Sequence, residues 1–148
     1  MKALVKKYAK PGIWMEEVPM PEVGINDVLI KVTKAAICGT DLHMYKWDEW
    51  SQTHCKPPYT MGHEFVGVVA EVGEGVRNFT VGERVTAEGH IVCGHCRNCR
   101  RGMGHVCENT ISVGIMGKDG CFAEYVTIPE YNVVKLRDEI PDDFAAIM

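Results

Sequence analysis

Short β-prone runs of apolar residues recur along the chain, and turn residues separate them. Two strands are predicted over residues 1–8 and 13–18, because the turn signal Lys10-Pro11-Gly12 lies between them. A longer, β-branched and partly alternating run over residues 27–37 predicts a strand with one buried face. The remaining strands are predicted over residues 65–72, 81–85, 122–128 and 133–136.

Two short helices interrupt this β pattern. Residues 39–46 have helical character, and the Asp142-Asp143 pair after Pro141 is typical of a helix N-terminus. Residues 47–52, which include Trp47 and Trp50, are predicted to form a loop long enough to have a function of its own. The fold class that follows is mainly β with short helices.

Length and charge limit the classes of protein to consider. With 148 residues, 46% of them hydrophobic, the chain is expected to form one globular domain over residues 1–148. The net charge of −4 and the absence of a long basic run argue against nucleic acid or an anionic membrane as partner, since basic residues cluster only at Arg97, Arg100 and Arg101. No signal peptide or membrane-spanning run is apparent, so a cytoplasmic location is expected.

The spacing of the cysteines predicts a closed metal site. The chain has seven cysteines, and an odd count with C-x2-C spacing favours reduced thiolate ligands over disulfides. A lobe over about residues 89–108 contains Cys93, Cys96, Cys99 and Cys107, and four thiolates make a structural tetrahedral zinc site. A redox dithiol or an iron-sulfur cluster is the alternative, which the spacing does not favour. Cys55 and Cys121 are then expected to be non-ligands.

A second set of metal-binding side chains is mixed in type and scattered along the chain. Cys38, His63 and Glu64 are typical ligands of a catalytic zinc, which keeps one position open. His63 and Glu64 are adjacent, so both reach one ion only if the backbone bends, which Gly62 and Gly67 allow. Taken singly, each has a simpler interpretation as a buried thiol, a packed core histidine or a solvated carboxylate.

These motifs resemble a known enzyme family. The Gly-His-Glu-x2-Gly-x5-Gly segment at residues 62–73, the Cys38-Gly39-Thr40-Asp41 segment and the four-cysteine lobe are similar to the zinc-dependent medium-chain alcohol dehydrogenases. Within that family, the resemblance is strongest to the members that oxidise the 3-hydroxyl group of L-threonine, through residues 36–43, 47–52, 89–100 and 120–125.

The resemblance implies a GroES-like catalytic domain over residues 1–148, with a partly open β-barrel and a zinc-binding lobe. It also implies an NAD-binding Rossmann domain elsewhere in the full-length enzyme, because residues 1–148 contain no strand-Gly-x-Gly-x2-Gly-helix unit. The cofactors implied are therefore two zinc ions and NAD. The isolated chain is expected to be inactive, and the full-length enzyme is expected to be a homotetramer.

The resemblance further implies roles in the reaction. Zinc would act as a Lewis acid on the substrate hydroxyl, and Thr40 and His43 would carry the proton away. Thr40 could instead cap a helix, and His43 could be a surface histidine. Asp48 or Glu49 is a candidate partner for the ammonium group of threonine, whereas the neighbouring tryptophans could only pack the loop in place.

Two other functions remain open. A polyol or butanediol dehydrogenase of the same family would share both zinc sites and differ in the substrate loop. A zinc-stabilised binding module would use the three arginines on nucleic acid, but the net negative charge and the mixed-ligand site count against it.

Overall fold

Three β-sheets and a few short helices make up the computed structural model, which describes residues 1–148. In chain order the strands are β1 (Lys2–Lys6), β2 (Trp14–Glu17), β3 (Asp27–Ala36), β4 (Tyr59–Thr60), β5 (Glu64–Val72), β6 (Arg84–Ala87), β7 (His90–Ile91), β8 (Ile111–Val113), β9 (Gly117–Lys118), β10 (Tyr125–Pro129) and β11 (Val133–Lys135). The α-helices are α1 (Gly39–Lys46), α2 (Glu49–His54) and α3 (Asp142–Ala145), and 3-10 turns lie at Cys99–Arg101, Gly104–Val106 and Glu130–Asn132. The helices are too short and too polar to reach across a bilayer.

The main core lies against a five-stranded antiparallel sheet with the strand order β10-β3-β5-β6-β11. β-Branched side chains fill this core, among them Val28 and Ile30 of β3, Val69 of β5 and Ile128 of β10, each at most 1% exposed. Burying one such side chain contributes about 1.5–3 kcal/mol relative to leaving it in water. The apolar runs therefore become strands because the sheet gives them a shared interior.

Two smaller sheets flank the main one. One has the order β2-β1-β4, and a single bridge between Ala3 and Ala123 links it to the segment before β10. The other has the order β7-β8-β9 and accompanies the cysteine lobe, with β8 and β9 parallel. The sheets do not close into one barrel. The prediction of a mainly β, partly open fold with short helices is confirmed.

Several predicted elements are wrong in detail. Strand β1 ends at Lys6 rather than at residue 8, and β10 begins at Tyr125 rather than at residue 122. Residues 47–52 are not a loop throughout, because α2 begins at Glu49 once the Asp48 carboxylate accepts a hydrogen bond from the Ser51 N–H as an N-cap. The strand predicted over residues 81–85 begins only at Arg84, since Gly82 adopts a φ of +95° in a turn before it. Helix α1 and strand β3 lie where the sequence predicts them, apart from one residue at the end of β3.

Gly62 is the residue at which the backbone bends before β5. Its φ is +92°, and a Cβ atom placed there would lie 2.3 Å from the Phe122 ring. Gly82 has nearly the same φ, but nothing lies within 4 Å of the position of its Cβ. An alanine would therefore meet the same backbone strain at both positions, but steric overlap only at position 62.

We expect Gly62→Ala to destabilise the fold far more than Gly82→Ala. A positive φ costs an alanine about 1–2 kcal/mol at either position, whereas overlap with the partly buried Phe122 ring adds about 1–3 kcal/mol more at position 62 alone. Urea titration of both variants measures the difference. Equal losses of unfolding free energy would show that Phe122 moves aside without cost.

Candidate metal centres

Four sulfur atoms converge in the cysteine lobe. The Sγ atoms of Cys93, Cys96, Cys99 and Cys107 all lie within 4.8 Å of one another. Backbone N–H groups point at three of these sulfurs: Cys96 donates to Cys93 Sγ at 3.3 Å, Cys99 to Cys96 Sγ at 3.4 Å, and Asn109 to Cys107 Sγ at 3.3 Å. Such donors favour the thiolate form, which is the form that binds a metal.

The acidity of these thiols follows from the same contacts. The N–H groups of His95 and Cys96 lower the pKa of Cys93 to about 6, and the Cys99 N–H holds the pKa of Cys96 below its usual value. Desolvation raises the pKa of Cys99. Four thiolates this close repel one another unless a cation lies between them, so the donor set fits a divalent ion that prefers sulfur, such as zinc.

Pairing between two strands brings the scattered ligands together. The last residue of β3, Ala36, pairs with the first residue of β5, Glu64, so the segment that follows β3 lies beside the segment that precedes β5. Cys38 is on the first of these segments and His63 on the second. Ligand atoms of Cys38, His63 and Glu64 consequently lie within 4.8 Å of one another. One thiolate, one imidazole and one carboxylate make a donor set that fits zinc.

A buried pair of polar atoms next to this site supports the same fit. His63 Nδ1 and Asp41 Oδ1 are both buried without a hydrogen-bond partner and lie 3.8 Å apart. A metal ion bound to the other ring nitrogen, Nε2, would keep the proton on Nδ1, and that N–H would face the carboxylate. Burial raises the pKa of Asp41, while the Cys38 N–H donates to its Oδ2 at 2.9 Å.

Thr40 and His43, the two residues predicted to carry a proton, have different surroundings. Thr40 lies beside the mixed site, with its Oγ1 3.7 Å from Cys38 Sγ. His43 is more than half exposed, and its Nδ1 is hydrogen-bonded to Oδ2 of Asp48, the N-cap residue of helix α2. It makes no hydrogen bond to Thr40. The structure therefore brings Thr40 to the predicted metal ligands. It pairs His43 with Asp48, which the sequence suggests as a partner of the substrate ammonium group.

Asp48, one of the two candidate partners for a substrate ammonium group, has both of its oxygens engaged within the chain. Oδ1 accepts hydrogen bonds from the Ser51 N–H at 3.1 Å and the Ser51 hydroxyl at 3.2 Å, and Oδ2 contacts His43. Glu49, in the first turn of α2, stays a candidate for that role. Trp47 has a packing role, since its ring lies 4.8 Å from the buried Lys6 ammonium.

Sequence reasoning missed Asp41 as part of the site. The available signal was its place three residues after Cys38, the N-cap residue of α1, since a carboxylate there accepts a hydrogen bond from the backbone N–H of the cap residue. The two remaining cysteines lie outside both ligand sets. Cys55 packs with Met44 and Met61, and the buried Cys121 thiol donates to the Glu64 carbonyl at 3.6 Å.

Comparison with known proteins agrees with this architecture. The alcohol dehydrogenase GroES-like domain model matches residues 24–138. The L-threonine 3-dehydrogenase of Mesorhizobium japonicum is 60% identical over 147 residues, which are 99% of this chain and 42% of that protein. The chain thus spans well under half of the length of such curated relatives.

Solved structures of other dehydrogenases share the fold. Galactitol-1-phosphate dehydrogenase from Escherichia coli superposes with a TM-score of 0.87 at 28% identity, over 99% of this chain and 41% of that one. The 2R,3R-butanediol dehydrogenase from Bacillus subtilis gives a TM-score of 0.82 at 35% identity, over 98% of this chain and 43% of that one. The resemblance stated from the sequence motifs is confirmed, and the chain belongs to the alcohol dehydrogenase GroES-like domain family.

Proposed function

We propose that the chain is the catalytic-domain portion of a zinc- and NAD-dependent L-threonine 3-dehydrogenase. The observation that supports this most is the 60% identity to such an enzyme across 99% of the chain. The polyol and butanediol dehydrogenases share the fold at only 28% and 35% identity. The reaction would convert L-threonine and NAD⁺ into 2-amino-3-ketobutyrate, NADH and a proton, so the carbon that bears the hydroxyl loses a hydride and the oxygen loses a proton.

The residues of the chain would form two metal sites, of which only one takes part in this reaction. Cys38, His63 and Glu64 would hold a catalytic zinc, and the four lobe cysteines would hold a structural one. Bound at the first site, zinc would supply Lewis-acid stabilisation of the negative charge that develops on the substrate oxygen. Because Asp41 faces His63 Nδ1 from a buried position, it would keep that imidazole oriented toward the ion.

The proton would leave through Thr40 and His43. A threonine hydroxyl can accept a proton on one side while it donates its own on the other. The Thr40 hydroxyl is hydrogen-bonded to the Cys38 sulfur and so lies beside the predicted catalytic zinc ligands. His43 is more than half exposed, and its imidazole can accept that proton and pass it to water. Hydride would pass to the nicotinamide of NAD, which a Rossmann domain in the full-length enzyme would hold.

The choice of substrate tests this proposal against its rivals within the family. We expect the full-length enzyme to use L-threonine with a kcat/KM at least about 100-fold above those for 2,3-butanediol and galactitol 1-phosphate, because a site built for an ammonium group rejects substrates that lack it. Initial rates of NADH formation with each substrate measure the ratio. A preference for either of the other two compounds would refute this proposal and favour the corresponding polyol or butanediol dehydrogenase function.

The proposal also extends to the setting in which the enzyme works. A cytoplasmic location suits seven free cysteines, since thiolate ligands need a reducing compartment. A homotetramer is expected for the full-length enzyme, and sedimentation equilibrium would measure its mass.

The nucleic-acid module remains a distinct alternative, and salt-dependent binding to DNA or RNA that requires Arg97, Arg100 and Arg101 would support it.

A further inference from the structure

Helices α1 and α2 meet at a corner formed by Trp47 and Asp48. Trp47 ends α1 in the left-handed conformation with a φ of +55°, and its N–H donates to the His43 carbonyl at 2.9 Å. The Gln52 side chain donates to the Trp47 carbonyl at 2.9 Å. A left-handed residue other than glycine costs about 1–2 kcal/mol, so this corner persists only because its surroundings hold it.

A buried lysine holds the corner from below. The Lys6 side chain is fully buried, and its Nζ donates to the carbonyls of Lys10 and Gly12 at 2.7 and 2.9 Å. The same ammonium lies 4.8 Å from the centre of the Trp47 ring, within the range of a cation–π contact. Trp47 is therefore fixed, and the backbone of Asp48 is fixed with it.

Asp48 uses its two oxygens for different purposes. Oδ1 caps helix α2 through the Ser51 N–H, and Oδ2 contacts His43 Nδ1. These contacts, first that of His43 and then that of the Ser51 backbone, hold the pKa of Asp48 below its usual value, so the carboxyl group is ionised at neutral pH. An ionised carboxylate only accepts hydrogen bonds, and Nδ1 of His43 must therefore carry a proton.

We propose that Asp48 is a positioning residue that fixes His43 in the tautomer whose free acceptor is Nε2. This inference rests on the proposed dehydrogenase function, in which His43 receives the proton released by the substrate. With Nδ1 protonated and directed at the carboxylate, only Nε2 has a lone pair. The imidazole ring also lies 6.0 Å from the Trp50 ring, which itself stacks on His54 at 4.8 Å, so α2 limits its rotation.

The substitution Asp48→Asn isolates this role from helix capping. Asparagine is as good an N-cap as aspartate, so its Oδ1 still accepts from the Ser51 N–H and α2 persists. Its amide nitrogen then replaces Oδ2 and donates to His43 Nδ1, which moves the ring proton to Nε2. A ring with this tautomer has no acceptor to offer at Nε2. The matched control is Ser51→Ala, which removes a hydroxyl contact to Oδ1 and leaves Oδ2 in place.

Two measurements test the proposal. In ¹⁵N-labelled chain, long-range proton–nitrogen spectra of neutral His43, assigned with His43→Gln, should show protonated Nδ1 in the unsubstituted chain and in Ser51→Ala, and protonated Nε2 in Asp48→Asn. In the full-length enzyme, Asp48→Asn should lower kcat for L-threonine about 100-fold with little change in KM, since a positioned base contributes typically 10²–10⁴-fold.

The outcomes distinguish this inference from the function on which it rests. An unchanged tautomer in Asp48→Asn would overturn the positioning role, whatever the enzyme does. A changed tautomer with an unchanged kcat would show that His43 is not the proton acceptor. If the unsubstituted full-length enzyme does not oxidise L-threonine, the proposed function fails instead, and the spectra still decide how Asp48 and His43 interact.

Discussion

Cys96→Ser is expected to lower the zinc content by one ion per chain and to destabilise the fold. Cys96 is the most buried of the four lobe cysteines, and its sulfur accepts the Cys99 N–H, so a hydroxyl there provides neither the charge nor the soft donor of the thiolate. A metal present at about 1,000 times its Kd contributes about 4 kcal/mol to folding. Its loss should lower Tm by roughly 10 °C in a chain of this size.

A matched control separates loss of a ligand from loss of a buried thiol. Cys55 is 5% exposed and packs with Met44 and Met61, away from both ligand sets. Cys55→Ala should cost about 1 kcal/mol, the usual effect of a modest change in a core, and should leave the zinc content unchanged. Metal analysis and melting curves of the two variants give the comparison. Full zinc content in Cys96→Ser would contradict the assignment of the lobe.

The 148-residue chain, tested alone, is expected to bind zinc yet to produce no measurable NADH from threonine. Hydride transfer requires the nicotinamide beside the substrate carbon, and residues 1–148 contain no Gly-x-Gly-x2-Gly unit to hold a dinucleotide. Holding two reactants in place is worth about 7–11 kcal/mol, which NAD free in solution does not recover. The lobe site should fill first because its four ligands lie within residues 93–107, and we expect between one and two zinc ions per chain.

Stepwise addition of zinc to chain stripped of metal tests the order of filling. Cobalt(II) serves as a coloured substitute, since sulfur-rich and mixed tetrahedral sites differ in their absorption spectra. The Cys38→Ser variant should lose only the second, weaker step, while Cys96→Ser should lose the first. Threonine oxidation by the 148-residue chain at the rate of a full-length enzyme would refute the division of labour proposed for the two regions.

Local features of the structure follow closely from the sequence. The four lobe cysteines lie on one short segment rich in turns, so their spacing alone places the sulfurs together. Strand β3 has enough β-branched residues for its pattern to identify it, and α1 begins directly after Cys38 as predicted. Such features depend on neighbours in the chain and need no knowledge of the sheet.

The rest depends on contacts between distant segments. Cys38 meets His63 because Ala36 pairs with Glu64, a register that no local pattern specifies and that only the resemblance to a family could supply. Helix α2 is six residues long, too short for a hydrophobic period to reveal it. The engagement of Asp48 by His43 depends on the turn between two helices, so sequence reasoning left that carboxylate free for the substrate.

The fixed corner at Trp47 also gives the chain an optical property. All three tryptophans of the sequence lie in the same region: Trp14 contacts Tyr8 edge-on, Trp47 lies over the Lys6 ammonium, and Trp50 stacks on His54. Indole emission therefore reports on the start of β2 and on the corner between α1 and α2, and none of it originates in the cysteine lobe or the main sheet. Loss of metal from the lobe without global unfolding will therefore leave the indole emission unchanged, while separation of the stacked Trp50 and His54 rings will change it.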